Sequence, residues 1–257
     1  MTIEIIQGEC LEVMKTFEDN QFDLVLTDPP YGTTKCKWDS VIPLNPMWEQ
    51  VKRVTKLNSA IVMTASQPFS SVLVTSNLEM FKHEWVWIKN RGSNFANTVR
   101  EPMKEHEVVL VFSRGGWTYN KQMQPRAASG ASRANYDVGY NDQNREAYRK
   151  FEGREKHRIP EMRVPSSWQK FNIASGKEKT KHPTQKPIAL MRYLLETYTN
   201  KGDMVLDFTM GSGTTGVACV LTNRSFTGIE ISEEYCKIAR RRVAAETEKM
   251  ALFAGAE

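Results

Sequence analysis

Met204-Val205-Leu206-Asp207-Phe208-Thr209-Met210-Gly211-Ser212-Gly213-Thr214-Thr215-Gly216 carries a short apolar strand into a G-x-G-x-x-G turn and then a helix. Glycines permit the tight turn and let the backbone approach a ligand, and a carboxylate closing the next strand can grip ribose hydroxyls. Glu230, ending the run Phe226–Ile231, is placed to be that carboxylate. The pattern alone leaves NAD, FAD and S-adenosylmethionine open, because each carries an adenosine ribose. Beyond Gly216 there is room for one helix, one strand and one last helix. Two strands do not make a nucleotide-binding sheet, so the others must be encoded earlier. Ile3–Ile6, Phe22–Thr27, Ala60–Ala65, Glu84–Lys89 and Glu107–Ser113 are apolar or alternating runs of strand length. With Met204–Phe208 and Phe226–Ile231 they predict an α/β fold with a Rossmann-like, seven-stranded sheet. A dinucleotide-binding dehydrogenase has its glycine loop near the start and continues with further β-α units. The late position of this loop argues against one.

The second informative stretch follows the predicted strand Phe22–Thr27. Asp28-Pro29-Pro30-Tyr31 places a carboxylate, a rigid backbone and an aromatic ring at a strand end. Proline fixes its own φ and restricts the residue before it, so the carbonyls here are held in place. That combination suits chemistry on a planar amine such as the exocyclic amino group of a nucleobase. Such an amine is a poor nucleophile, its lone pair being delocalised into the ring. Acceptors that bind its N–H groups while the nitrogen becomes tetrahedral favour the transition state over the ground state. The Asp28 carboxylate and the Pro29 carbonyl are the candidate acceptors, and Tyr31 the candidate stacking ring.

With both motifs in this order, the chain resembles the beta-class DNA amino-methyltransferases, in which the catalytic motif precedes the S-adenosylmethionine loop. The resemblance covers nearly the whole chain. Asp28 to Tyr31 matches the catalytic motif unchanged, and Gly8-Glu9-Cys10 resembles the family's Gly-Asp-Cys near the cofactor adenine, with Glu for Asp. His182-Pro183-Thr184-Gln185-Lys186-Pro187 is similar to the segment beside the methionine end of the cofactor. Asp207, Gly211-Ser212-Gly213-Thr214-Thr215 and Gly228-Ile229-Glu230 match the cofactor loop and the ribose-binding strand end. Where the family loop reads Asp-Pro-Phe-x-Gly-x-Gly, this chain has Asp207-Phe208-Thr209-Met210, its aromatic displaced by one position.

The resemblance implies a circularly permuted methyltransferase sheet with helices on both faces. Residues 1–113 would form its catalytic half, 114–181 an inserted target-recognition region and 182–257 its cofactor-binding half. Asp28, Pro29, Pro30 and Tyr31 are the implied catalytic residues. Glu9, Cys10, Asp28, His182, Thr184, Lys186, Asp207, Phe208, Thr209, Gly211, Ser212, Gly213, Thr214, Thr215 and Glu230 are the implied cofactor contacts. The implied activity is methyl transfer from S-adenosylmethionine to N6 of a flipped adenine in double-stranded DNA. Cytosine N4 methylation uses the same geometry, although Ser is commoner than Asp at the first motif position there. A DNA-binding relative without turnover, and an RNA or glutamine methyltransferase, are the further alternatives. Homodimerisation is common among such enzymes, though no segment here establishes it.

Composition agrees with this reading. Residues 114–186 carry 16 Lys and Arg against 7 Asp and Glu, whereas the rest of the chain carries 19 against 23. The basic excess therefore sits between the two motif halves. Its Lys and Arg suit phosphates, and its Arg, Asn and Gln suit base edges, as in Tyr136-Asp137-Val138-Gly139-Tyr140-Asn141-Asp142-Gln143-Asn144-Arg145. The scattered cysteines Cys10, Cys36, Cys219 and Cys236 form no C-x-x-C pair, which argues against a metal site or disulfide framework. No secretory signal or membrane-spanning run is evident, so a bacterial or phage-encoded cytoplasmic protein is expected. Met47, Trp48, Val51 and Val54, and again Leu190, Leu194, Leu195 and Tyr198, follow helical spacing, so both segments are expected to cover the sheet. Ser232 reads as an N-cap, and Arg240-Arg241-Arg242 as a solvated helix surface. Trp85 and Trp87 read as sheet-face residues, and Trp38-Asp39 as part of a loop over the active site.

Overall fold

The computed structural model describes residues 1–34, 36, 39–126 and 161–254. They fall into two compact units, Met1–Asn120 with Ser167–Glu257, and Lys121–Ser166. The larger unit is built on the strands β1 (Ile3–Gln7), β2 (Phe22–Thr27), β3 (Thr55–Ala65), β4 (Phe81–Ile88) and β5 (His106–Phe112). The smaller unit contributes β6 (Gln124–Pro125) and β7 (Met162–Arg163), and the larger resumes with β8 (Trp168–Lys170), β9 (Met204–Asp207) and β10 (Ser225–Glu230). The helices are α1 (Cys10–Met14), α2 (Leu44–Val54), α3 (Phe69–Thr75), α4 (Ile188–Tyr198), α5 (Thr214–Thr222) and α6 (Glu233–Ala254).

All seven predicted strands pair in one sheet, in the order β1-β10-β9-β2-β3-β5-β4, and the short β8 joins beside β4 as an eighth. From β1 to β3 every pairing is parallel, and β5 runs antiparallel to both β3 and β4. The central strands are apolar on both faces, as a sheet covered on both sides requires. Leu24 and Leu26 of β2, Ala60 and Val62 of β3, and Val205 of β9 pack in one core with α4, α5 and the start of α6. Val25, Ile61, Met63 and Leu206 point the other way, into a core shared with α1, α2 and α3. The alternation of side chains along a strand is what divides one apolar run between two cores.

The predicted helix stripes are the buried ones: Met47, Trp48, Val51 and Val54 on α2, and Leu190, Leu194, Leu195 and Tyr198 on α4. Trp85 and Trp87 are core residues, with indole N–H groups donating to Tyr198 Oη at 2.6 Å and the Phe171 carbonyl at 2.8 Å. The Ser232 hydroxyl accepts from the Tyr235 amide at 3.4 Å as α6 begins. No helix among the described residues is long and apolar enough to cross a membrane.

In the smaller unit β6 and β7 pair antiparallel, with Gln124 opposite Arg163. Arg126 and Arg163 are tied locally, Arg126 Nη2 to the Met162 carbonyl at 3.0 Å and Arg163 Nη1 to Ser166 Oγ at 2.8 Å. The Asn- and Tyr-rich run 136–145 lies outside the described residues.

Candidate active site

A cavity of about 410 Å³ opens where β1, β2, β9 and β10 end. The carboxyl edge of a parallel sheet is where α/β folds place ligands, because the loops there are free of the sheet's own hydrogen bonding. Asp28, Pro29, Pro30 and Tyr31 line it, together with Glu9, Cys10, His182, Thr184, Lys186, Asp207, Phe208, Thr209, Gly211, Ser212, Thr214, Thr215 and Glu230. Of the implied catalytic and cofactor residues, Gly213 alone is not on the wall. Its φ of +78° turns the chain into α5, and a Cβ there would lie 2.7 Å from the Ala239 side chain. Gly216 serves packing instead: a Cβ would meet the Phe226 ring at 2.8 Å.

Asp28 is held from three sides. Tyr31 Oη donates to Oδ1 at 2.7 Å, and the Thr64 hydroxyl, from β3, donates to the same oxygen. Lys186 Nζ contacts both Oδ1 and Oδ2 at 2.7 Å. The Tyr31 ring stacks on Phe69 with centroids 5.3 Å apart, and Lys186 Nζ lies 5.5 Å from its centre. Burial, and then the Asp28 charge, push the Tyr31 phenol well above its ordinary range, so Tyr31 keeps its proton and donates it.

The glycine-loop side is built differently. Asp207 accepts from the hydroxyls of Thr27 at 2.7 Å and Thr215 at 2.6 Å and from the Thr209 amide at 3.2 Å. No cation among the described residues faces it; burial pushes its carboxyl up to about 7. Glu230 accepts from the amides of Gly211 at 3.0 Å and Ser232 at 2.8 Å, which leaves lone pairs on both oxygens for a ligand. Burial raises its carboxyl as well. Glu9 caps α1 through the Glu12 amide at 2.9 Å and accepts from Cys10 Sγ, whose thiol burial pushes up to about 12. His182 packs against Tyr235 with ring centroids 4.6 Å apart, and burial lowers its pKa.

Phe208, the displaced aromatic, is buried in the core beneath the loop as well as bordering the cavity. In all, the lining carries five carboxyl groups, Glu9, Asp28, Asp39, Asp207 and Glu230, against one lysine. An acidic cavity in a protein of net positive charge suits a cationic ligand bearing a diol.

Several residues that shape the site carry no motif. Asp39 is buried and accepts from the amides of Gly32 and Thr33 at 2.9 Å and of Thr34 at 2.6 Å, fastening the loop after Tyr31. Those bonds outweigh burial and hold its carboxyl low. Trp38, read beside it, lies outside the described residues. Arg242, expected on a solvated surface, instead braces the glycine loop: Nη1 donates to the Ser212 carbonyl at 2.6 Å and to Thr214 Oγ1 at 3.2 Å. Its place three residues after the fully buried Ala239, on the same face of α6, was the available signal. Glu107 reaches the site because antiparallel β5 starts at the edge where its neighbours end, opposite Trp87 near the end of β4. Within its strand nothing but a charge at the head of an apolar run marks it.

Comparison with known proteins matches this arrangement. The chain is 29% identical over 252 residues to the DNA adenine methyltransferase YhdJ of Escherichia coli, covering 93% of this chain and 82% of that one. It is 27% identical over 266 residues to the type II methyltransferase M2.MboI of Moraxella bovis, covering 93% and 86%. Among solved structures, M1.HpyAVI bound to S-adenosylmethionine aligns with a TM-score of 0.63 and 27% identity, over 94% of this chain and 99% of that one. A family model for DNA methylases of the N6/N4 type matches residues 22–241, which include both the Asp28 motif and the glycine loop, and the chain belongs to that family.

Proposed function

We propose that the protein transfers the methyl group of S-adenosylmethionine to N6 of an adenine flipped out of double-stranded DNA. The observation that carries this reading is the shared cavity: the Asp28 motif and the Gly211–Glu230 pair face one space from adjacent strands. S-adenosylmethionine supplies an electrophilic methyl on a sulfonium, a cation in keeping with the acidic wall. Glu230 would take the ribose hydroxyls with its remaining lone pairs, and the loop from Asp207 to Thr215 would hold the nucleoside. Glu9, Cys10, His182 and Thr184 complete the cofactor wall.

The Asp28 carboxylate and the Pro29 carbonyl accept the amino hydrogens as the nitrogen turns tetrahedral, and Tyr31 walls the base. Charge moves from sulfur to nitrogen in the transfer and the proton leaves afterwards, so no strong base and no cysteine nucleophile are needed. Residues 114–181 make the target-recognition region, their basic excess neutralising phosphates. The intact Asp at the first motif position and the E. coli relative named as an adenine enzyme favour N6 over cytosine N4. Incubation with unmethylated duplex DNA and S-adenosylmethionine, followed by mass spectrometry of the digested nucleosides, tests the assignment. N6-methyladenine is the expected product; N4-methylcytosine keeps the mechanism and changes the base. No methylated nucleoside on several DNAs, with cofactor bound, overturns it.

A further inference from the structure

Lys186 stands on the cavity wall, but its ammonium is turned to the catalytic carboxylate. Only 7% of its side chain is exposed, and its Nζ makes two contacts of 2.7 Å to Asp28 and one of 3.4 Å to Glu107 Oε2. Glu107 Oε2 is buried and has no hydrogen bond among the described residues, while Oε1 faces Lys89 Nζ at 3.2 Å. The result is a largely buried row of alternating charge, Asp28, Lys186, Glu107 and Lys89, drawn from just past β2, the segment before α4, β5 and just past β4. Burial alone would strip Lys186 of its proton and put one on Glu107. The neighbouring opposite charges reverse both tendencies, holding Lys186 well above and Glu107 below their ordinary ranges.

We infer that Lys186 is a positioning residue for Asp28, fixing the plane of its carboxylate, and that Glu107 anchors the ammonium in that place. The inference rests on the reading of Asp28 as the acceptor of the target amino hydrogens. A carboxylate held in one plane by an adjoining ammonium presents its lone pairs in a fixed direction to a nitrogen that is turning tetrahedral. Among the described residues, the carboxylate without Lys186 keeps the hydroxyls of Tyr31 and Thr64, both on one oxygen. The other titratable groups that sense Asp28 are Tyr31, His182 and Asp207.

The test reads Asp28 directly. Carboxyl ¹³C NMR, with the signal assigned by its loss in Asp28→Asn, is run at one pH on the full chain and on Lys186→Met, Lys186→Arg and Glu107→Gln. The Asp28 signal is expected to shift and broaden in Lys186→Met, where the carboxylate loses the ammonium that fixes its plane. Glu107→Gln should shift it by a smaller amount in the same direction, and Lys186→Arg should leave it near the wild-type position. In turnover assays Lys186→Met should lower kcat about 10²-fold, a loss of the size seen for one preorganised group, with the cofactor Kd within about threefold. An unchanged Asp28 signal in a folded Lys186→Met protein overturns the inference. So does a rise in cofactor Kd that accounts for the whole kcat/KM loss, which would make Lys186 a cofactor ligand. Failure of the wild type to methylate DNA counts against the proposed activity alone, since the carboxyl signal is read without turnover.

Discussion

Asp28 and Asp207 follow or end neighbouring parallel strands, and Thr27 and Thr209 stitch them together, yet the two carboxyls live under opposite conditions. Asp207 is surrounded by hydroxyls and an amide, with no cation against it among the described residues, and burial raises its pKa to about 7. Asp28 lies three hydrogen bonds along the same network: Thr27 Oγ1 bonds Asp207, and the Thr209 hydroxyl bonds both Thr27 Oγ1 at 2.6 Å and the Asp28 backbone carbonyl at 3.1 Å. It is nonetheless paired with an ammonium. The lesson is that the same residue type at the same edge sits in a net of hydroxyls or beside a cation according to its tertiary partners. Asp207 ties the glycine loop to β2. Asp28 is tied to the segment before α4.

The largest expected effect separates the two halves outright. Asp28→Ala should abolish methylation, at least about 10³-fold in kcat, while a calorimetric titration finds cofactor affinity within a few-fold of wild type. Equal loss of both would place Asp28 in the cofactor site instead. Glu230→Ala is the mirror experiment. It should raise the cofactor Kd by about tenfold or more, the loss expected for charge-assisted hydrogen bonds, and leave kcat at saturating cofactor close to wild type. A kcat loss at saturation would show that the two sides of the cavity are not separable.

The smallest effect concerns Asp207 and is read as stability against pH. Its folded pKa is raised, so the native state holds a proton that the unfolded chain releases, and its contribution falls as pH rises from about 4 to about 7. Asp207→Asn removes that term. Its melting temperature relative to wild type should therefore climb between pH 5 and pH 8, and a parallel pair of curves would mean that Asp207 is ionised throughout.

Much of this molecule could be read before its coordinates, and for identifiable reasons. The strands are short apolar runs bounded by turn residues, and the two motifs are local, so their place at strand ends follows from adjacency alone. The eighth strand escaped because Trp168–Lys170 is three residues at a sheet edge, too short to show a period. Asp39 was placed in a loop over the site, but its role escaped because its work is done on backbone amides five to seven residues away, which leaves no spacing rule to follow. Arg242 and Glu107 escaped for a different reason. Each acts across the fold, Arg242 on a loop 28 to 30 positions earlier and Glu107 on a lysine brought in by another segment. Lys186 was visible as a motif residue, but the direction of its ammonium is a tertiary fact.

One consequence follows from the pairing of the sheet. β1, which begins at Ile3, hydrogen-bonds to β10, which ends at Glu230, and the middle of the sheet joins β2 to β9. A ribosome extends the chain from its N-terminus, so β1 and one edge of β2 emerge well before their partners exist. The nascent protein therefore carries open, apolar strand edges until β9 and β10 emerge, the condition that invites pairing with the wrong chain. Contacts of such long sequence separation also close slowly, because loop entropy must be overcome before they form. Asp28 is thus translated 181 positions ahead of Thr209, the glycine-loop residue bonded to its carbonyl.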